Sequence, residues 1–465
     1  MSITDSRDQK RIQRITVTVV VITAFITTFT GSALNLSIPG ISGEFGVSAG
    51  NAGWLITGYT LAVAAFSVPM GRLADVTCMK PVLAAGIAVF TLCCGAAVFS
   101  GSFVVLMISR MVQGIGAAMI FSTNVAVLIS AFPQERRGQV LGYSLASTYA
   151  GLSAGPVVGG ILDHVFGWRS IFIFTGVLGA AALAVTLHGL PSERRDSGEG
   201  RQSLDVPGNL LYLTFIVLFM YGASEILSGV LPVLCVTAGL VSGVAFVAYE
   251  MKTDDPAVDI SLFRKDAGYA CSNLAALMNY GATFAISYLM SVYLQAVMGY
   301  GSAAAGTIMI SQPIVMAVLT PVMGKFSDRF SPFRMSSLGM AFCAAGTFMF
   351  IFVNRSTSLF FVIAALAVTG LGFALFSSPN TNAVMSCVDK EYYGVASSLL
   401  ATMRSIGHTL SMVIVTVTVD LYMAGVPVSG ADPDTLVRVI RSSFIIFTSI
   451  CIAGVFVSLR RSSGK

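Results

Sequence analysis

Charge is what this chain has least of. Only 11% of its 465 residues are Asp, Glu, Lys or Arg, less than half of the roughly 25% usual in soluble domains. That is too little to cover a water-facing surface. Histidine occurs three times, and the eight cysteines (78, 93, 94, 235, 271, 343, 387 and 451) lie in or beside apolar segments with no ligand spacing. Neither a metal site nor a disulfide is expected from them. Cys93 and Cys94, adjacent in an apolar run, read as two small helix side chains. The chain has no nucleotide-binding motif, no soluble domain and no catalytic cluster, so no ATP, cofactor or enzymatic activity is expected.

Long apolar runs take the place of charge. Hydrophobic residues make up 55% of the chain and mean hydropathy is +0.82. A helix needs about 20 apolar residues to cross a bilayer core of ~30 Å, and runs of this length recur almost throughout, which excludes barrel strands. The first run, from about residue 15 to 38, follows Arg7, Lys10, Arg11 and Arg14 and is longer than the apolar part of a secretory signal, so it reads as a retained span. Fourteen spans are expected, among them 138–162, 268–297 and 334–353. Twenty-one of the 27 Lys and Arg fall on alternate connections, four on the others (Arg169, Arg355, Arg438, Arg441) and two within spans (Arg110, Arg404). This bias puts both termini in the cytoplasm and gives the net charge of +5 a topological meaning, with no nucleic-acid partner implied.

The sequence also repeats itself. MGRLAD at 70–75 returns as MGKFSD at 323–328, and GIGAAMIFSTNVAV at 114–127 returns as GLGFALFSSPNTNAV at 370–384. The expected organisation is a six-helix bundle at 15–189, a polar linker at 190–205, an inserted helix hairpin at 206–250, a cytoplasmic loop at 251–267 and a second six-helix bundle at 268–459. Two parallel halves of this kind place a substrate site between them near the membrane midplane, reached from each side in turn.

Four stretches carry chemistry. GRLADVTCMK follows the second span with Gly71, Asp75 and Lys80; its counterpart supplies Gly324, Asp328 and Arg329, and ERRG supplies Arg137 before the fifth span. An aspartate at a helix end can accept hydrogen bonds from the free N–H groups of a facing helix N-terminus, where the macrodipole favours negative charge. RMVQGIGAA places Arg110 inside the fourth span, about 10 Å from its outer end. Such a residue is a functional candidate, or it snorkels to the interface. GLSAGPVVGG at 151–160 has neither the basic residue nor the strand-to-helix junction of a phosphate loop. Its Gly151, Gly155 and Gly159 instead form a stripe for close helix approach, with Gly160 alongside, and Pro156 removes a backbone hydrogen bond that would keep the helix straight.

In order and placement these stretches resemble the major facilitator superfamily, in particular its fourteen-helix drug:proton antiporters. Trp168, Arg169 and Phe172 and the stretch YLQAVMGYG at 293–301 add to the likeness. The resemblance implies an all-α polytopic membrane protein with two pseudo-symmetric bundles in the cytoplasmic membrane. It implies a monomer that exports small amphipathic compounds in exchange for protons, in contact with lipid. It assigns the aspartate loops to a cytoplasmic gate, Arg110 to proton coupling and the 151–160 stripe to export.

One departure bears on coupling. Where that family carries an acidic residue in the first span, this chain has Thr30, with Asn35 and Pro39 following as usual. Remaining coupling candidates are Arg110, Asp163, Glu225, Asp420 and the pair Arg404 and His408, four residues apart on one helical face. His408 is either a proton-linked group or a neutral packing residue. Polar and aromatic residues that can line a cavity are Thr30, Asn35, Tyr59, Gln113, Asn124, Asn279, Tyr280, Tyr288, Asn380 and Asn382; each can equally satisfy a neighbouring helix. A cavity with two arginines and no carboxylate suits neutral or anionic molecules better than dications. An uptake carrier or facilitator of the same superfamily, or a transporter-like sensor, are the alternatives to export.

Overall fold

The computed structural model describes residues 3–47, 49–191, 204–227, 229–253, 256–258, 262–263, 266–389, 392–423 and 432–460. Most of the expected linker at 190–205 and part of the loop at 251–267 lie outside them. The described residues are helical almost throughout. The first half comprises α1 (Ile3–Phe45), α2 (Ala49–Val76), α3 (Met79–Val98), α4 (Phe103–Ala131), α5 (Arg137–Ala154), α6 (Gly160–Phe166) and α7 (Arg169–Gly189). Then come α8 (Val206–Ser224) and α9 (Val230–Glu250). The second half comprises α10 (Ala267–Thr283), α11 (Ile286–Val292), α12 (Ser302–Met309), α13 (Ser311–Ser327), α14 (Pro332–Phe350), α15 (Leu359–Ser386), α16 (Tyr393–Met423) and α17 (Pro433–Arg460).

Among the described residues, eleven helices are long and apolar enough to cross a membrane, or twelve if one bent pair is a single span. That pair is α5 and α6. A π-helical turn at Gly155–Gly159 joins them, and the axis bends by 42°, which is the local consequence of a glycine-rich stretch carrying a proline that cannot donate. The expected span at 268–297 is helical but broken. At its break the Ala285 N–H leaves the helix ladder and donates to Ser411 Oγ at 3.0 Å, and a second π-helical turn follows at Tyr293–Val297. The expected span at 334–353 is the 19-residue α14, whose first turns carry Arg334, Ser336 and Ser337.

The repeat in the sequence is a repeat in structure. Ser102 caps α4 by accepting from Val105 N, and Ser358 caps α15 by accepting from Phe361 N. In each half a helix pair meets glycine to glycine: a side chain on Gly116 would strike the Gly86 carbonyl, and one on Gly372 would strike the Gly339 carbonyl. In the membrane, backbone and hydroxyl groups have no water to pair with. Thr16, Thr23, Thr27 and Thr30 all donate to carbonyls of their own helix α1, which satisfies them without a partner helix. Large apolar side chains such as Leu92, Val177, Val241, Val244 and Phe360 point outward, as a lipid-facing surface requires.

The halves meet along α2 with α16 and α5 with α13. Helices α8 and α9 pack on each other, and α8 also touches both halves: Tyr212 Oη donates to Ala64 O of α2 at 2.9 Å and lies 2.6 Å from Thr402 Oγ1 of α16. The inserted hairpin is thus keyed into the seam between the bundles by one buried tyrosine.

Candidate functional site

Two carboxylates close one end of that seam. Asp75, in the last turn of α2, accepts from Gly394 N at 2.8 Å and Val395 N at 2.7 Å, the first free amides of α16. Asp328, which ends α13, accepts from Gly138 N at 2.6 Å and Gln139 N at 2.9 Å, the first free amides of α5. Each pair of bonds satisfies donors that the helix leaves open and sets a negative charge at the positive end of a helix dipole. The contacts need glycine. A Cβ on Gly71 would overlap Ser398 and the Gly394 carbonyl, and one on Gly324 would overlap the Gly138 carbonyl. Of the neighbouring bases, Lys80 donates to the carbonyl of Leu190 at the end of α7, Arg137 stacks its guanidinium 5.6 Å from the Tyr393 ring centroid, and Arg329 is exposed. Burial pushes the Asp328 carboxyl above the ordinary aspartate range, against the opposing pull of the Gln139 and Gly138 amides.

The glycines of 151–160 face inward on their own half. Side chains on Gly151, Gly155 and Gly159 would collide with Thr28 and Phe25, with Ser32, and with Ala33 respectively. All four residues lie on α1, so the stripe seats the α5–π–α6 segment against the first helix. Thr28 and Ser32 in turn donate to the carbonyls of Thr148 and Leu152, each at 3.0 Å. Gly160 is half-buried.

Arg110 is fully buried inside the first bundle and does not snorkel. Its Nε donates to Leu55 O at 3.2 Å and its Nη1 to Gln113 Oε1 at 2.5 Å, and its guanidinium lies 4.4 Å from the Tyr59 ring centroid. Gln113 passes the chain on by donating to Cys94 Sγ at 3.0 Å, and Tyr59 Oη donates to Thr27 O at 3.3 Å. Thr30 is also fully buried in this bundle. These residues form a polar thread within one half, not a wall of a space between halves.

The space between halves lies elsewhere. A cavity is walled by α1, α4 and α5 on one side and by α15 and α16 on the other. Its polar lining is Asn124, Ser144, Thr148, Thr381, Ser397 and Arg404, and the rest is apolar. Asn124 is held by donating to Thr23 Oγ1 at 3.0 Å. Arg404 rests 4.9 Å from the Tyr280 ring centroid, and its Nε is buried with no acceptor among the described residues. His408, one turn further on, stacks on Phe284 with ring centroids 4.0 Å apart and meets Tyr280 edge-on at 5.4 Å. Tyr280 therefore sits between Arg404 and His408.

Residues 20–412, and again 272–463, match the profile of the Major Facilitator Superfamily. The chain belongs to the Major Facilitator Superfamily. It is 28% identical over 392 residues to the riboflavin transporter RibZ of Clostridioides difficile, covering 84% of this chain and 85% of that one. It is 27% identical over 422 residues to the multidrug resistance protein Stp of Mycobacterium tuberculosis, covering 89% and 78%, and 28% identical over 406 residues to the methylenomycin A resistance protein of Streptomyces coelicolor, covering 84% and 83%. Among solved structures, the human organic anion transporter MFSD10 superposes with a TM-score of 0.68 over 97% of this chain and 99% of that one at 13% identity, which shows the fold. As a superfamily member with at least eleven apolar helices, the protein is a multi-pass transporter of the cell membrane with a small-molecule substrate.

Within that fold the remaining candidates disperse. Asn279 donates to Met340 Sδ at 3.2 Å and Asn380 to Ser272 O at 3.2 Å, both inside the second half, and Asn382 donates to Ser327 Oγ at 3.4 Å, beside the Asp328 contact. Asn35, Tyr288 and Asp420 are exposed, and Asp163 and Glu225 are half-buried near helix ends. Trp168 and Arg169 form a clasp at the end opposite the aspartates. Glu44 accepts from Trp168 Nε1 at 2.7 Å and from both Arg169 terminal nitrogens at 2.7 and 3.0 Å, and these bonds hold its carboxyl below the ordinary glutamate range. Sequence reasoning missed Ser144, Thr148, Thr381 and Ser397, because a hydroxyl in a membrane helix is so often spent on its own backbone. It also missed Asp205 and Glu250, 6% and 3% exposed, which face one another across Gly208 among the N–H groups of Gly208, Ala257 and Val258. The signal was available: an N-cap aspartate followed three residues later by glycine, and a glutamate ending the next apolar run.

Proposed function

We propose that this transporter exports small amphipathic compounds across the cytoplasmic membrane in exchange for protons, by alternating access, as a fourteen-helix drug:proton antiporter. The observation that carries the reading is the cavity between the halves, sealed at one end by Asp75 on the α16 N-terminus and Asp328 on the α5 N-terminus. We assign that end to the cytoplasm from the distribution of Lys and Arg. A polar, partly apolar space that is closed on one side of the membrane is one of the two states alternating access needs, and breaking two symmetric pairs of hydrogen bonds is a small enough change to reach the other. Export is supported by the glycine stripe on α5, which resembles the superfamily's efflux motif, and by two relatives named for drug resistance. Proton exchange is supported by the same resemblance, with Arg110, Arg404 and His408 as the candidate groups within helices and Asp163, Glu225 and Asp420 as peripheral alternatives.

Uptake is the second reading. Thr30 stands where the antiporters carry an acid, and one relative is named a riboflavin transporter. Reconstitution into liposomes with an imposed pH gradient separates the two. Export by antiport predicts substrate moving against its gradient with reciprocal proton flux; movement down its own gradient alone, with no proton flux, refutes the antiport reading and leaves a facilitator.

A further inference from the structure

We infer that the interbundle cavity selects organic monoanions: amphipathic molecules with one carboxylate, received by Arg404. The inference deepens the transport reading, on which it rests for the role of the cavity, and names its substrate class. Arg404 is a cation that borders the cavity and has its Nε buried with no acceptor among the described residues. The cavity lining contains no acidic side chain. A guanidinium presents planar, forked donors that match a carboxylate two bonds at a time. Leaving such donors desolvated and unpaired is costly, and more so at membrane depth.

Arg110 Nη2 and Arg137 Nε are likewise buried without a partner among the described residues, so what sets Arg404 apart is its place on the cavity and the lack of any other acceptor among those residues, as the comparison with Arg110 shows. Arg110 is fully buried, bonded through Nε to the Leu55 carbonyl and through Nη1 to Gln113, and lies over Tyr59. Arg404 has the aromatic support, at Tyr280, without those acceptors. Tyr280 is fixed in its turn by the edge-on contact with His408, so the guanidinium is held in place from behind while its donors stay open. The Ser144 hydroxyl can donate to a bound carboxylate, whereas those of Thr148, Thr381 and Ser397 already donate to the carbonyls of Ser144, Ser377 and Phe121, and the apolar remainder of the lining takes the body of the molecule. A cationic amphiphile gains nothing from Arg404 and meets its charge at close range.

The test is equilibrium binding to the full-length protein in detergent, read by fluorescence, of three probes that share one body: dansylglycine, its methyl ester, and dansylethylenediamine. Dansylglycine is expected to bind at least about tenfold more tightly than the ester, and the cation most weakly. Arg404→Gln is expected to erase the preference for the anion, with unchanged helicity by circular dichroism showing that the variant is folded; Arg404→Lys is expected to keep part of it. Equal binding of acid and ester by the unaltered protein overturns the inference without any variant, as does an anion preference that survives Arg404→Gln. Flux of the same probes through liposomes separates this inference from the transport reading. Selective binding of dansylglycine with no flux refutes transport and leaves the anion site standing, whereas equal flux of acid and ester refutes the anion site and leaves transport standing.

Discussion

At the scale of single residues, the protein spends its few charges on defined contacts. Glu44 is the clearest case. It binds Arg169 and the Trp168 indole, and its carboxyl is held below the ordinary value of 4.5, first by Arg169 and then by Trp168. A carboxyl with a lowered folded-state pKa contributes stability above its unfolded value and loses it as pH falls through the folded one. Glu44→Gln is therefore expected to lower the melting temperature at neutral pH and to make no difference in strong acid, compared by thermal unfolding in detergent. With Glu44 41% exposed, the effect is no more than about 1 kcal/mol. Arg110 and Arg404 are the instructive pair. Both stood out in the sequence for the same reason, a positive charge inside an apolar run, yet one is bonded within its bundle and the other opens on the cavity.

At the scale of helices, two devices recur: glycine faces that let helices touch, and aspartates on helix N-termini. Gly155→Leu is expected to disrupt the seat of α5 on α1, because the new side chain meets Ser32 directly. Overpacking of this kind costs about 1–3 kcal/mol, measurable as a lower melting temperature and a reduced folded yield. The aspartate contacts differ from this in being sensitive to pH. Since burial raises the Asp328 carboxyl, it takes up a proton at a higher pH than a solvated aspartate. Its ionised form, which holds Gly138 and Gln139, is present above that raised value and lost as pH falls through it. Mild acidification at that face is expected to loosen the α13–α5 contact, and Asp328→Asn to loosen it at all pH values. Accessibility of a cysteine introduced at Gln139 to a water-soluble maleimide reads this out; labelling that is independent of pH in the unaltered background would refute it.

At the scale of the whole molecule, the two contacts act together, since each joins the same two halves at the same end. Asp75→Asn combined with Asp328→Asn is expected to shift the population toward the state open at that end by more than either change alone, while leaving the helices intact. Distances between spin labels on α2 and α16 and on α5 and α13 would widen, with unchanged helicity by circular dichroism. Equal distances in the double variant would show that the carboxylates do not hold the halves together. Tyr212, bonded to both α2 and α16, adds a third point on this seam.

The amino-acid sequence by itself determined the all-helical membrane fold, the repeat and the superfamily, because all three follow from local periodicity, run length and short motifs. It also carried the aspartates and glycines of the repeat, since a helix end calls for an acceptor and a close approach calls for a missing Cβ wherever they occur. Tertiary structure alone decided which polar groups share a cavity. Arg110, Tyr59 and Gln113 lie on the helix faces that turn into their own bundle, whereas Ser144, Thr148, Thr381 and Arg404 lie on faces that turn to the other half. Which face a helix turns inward depends on how the apolar helices pack against one another, and in an almost uniformly apolar chain the hydropathy pattern carries little record of that rotation.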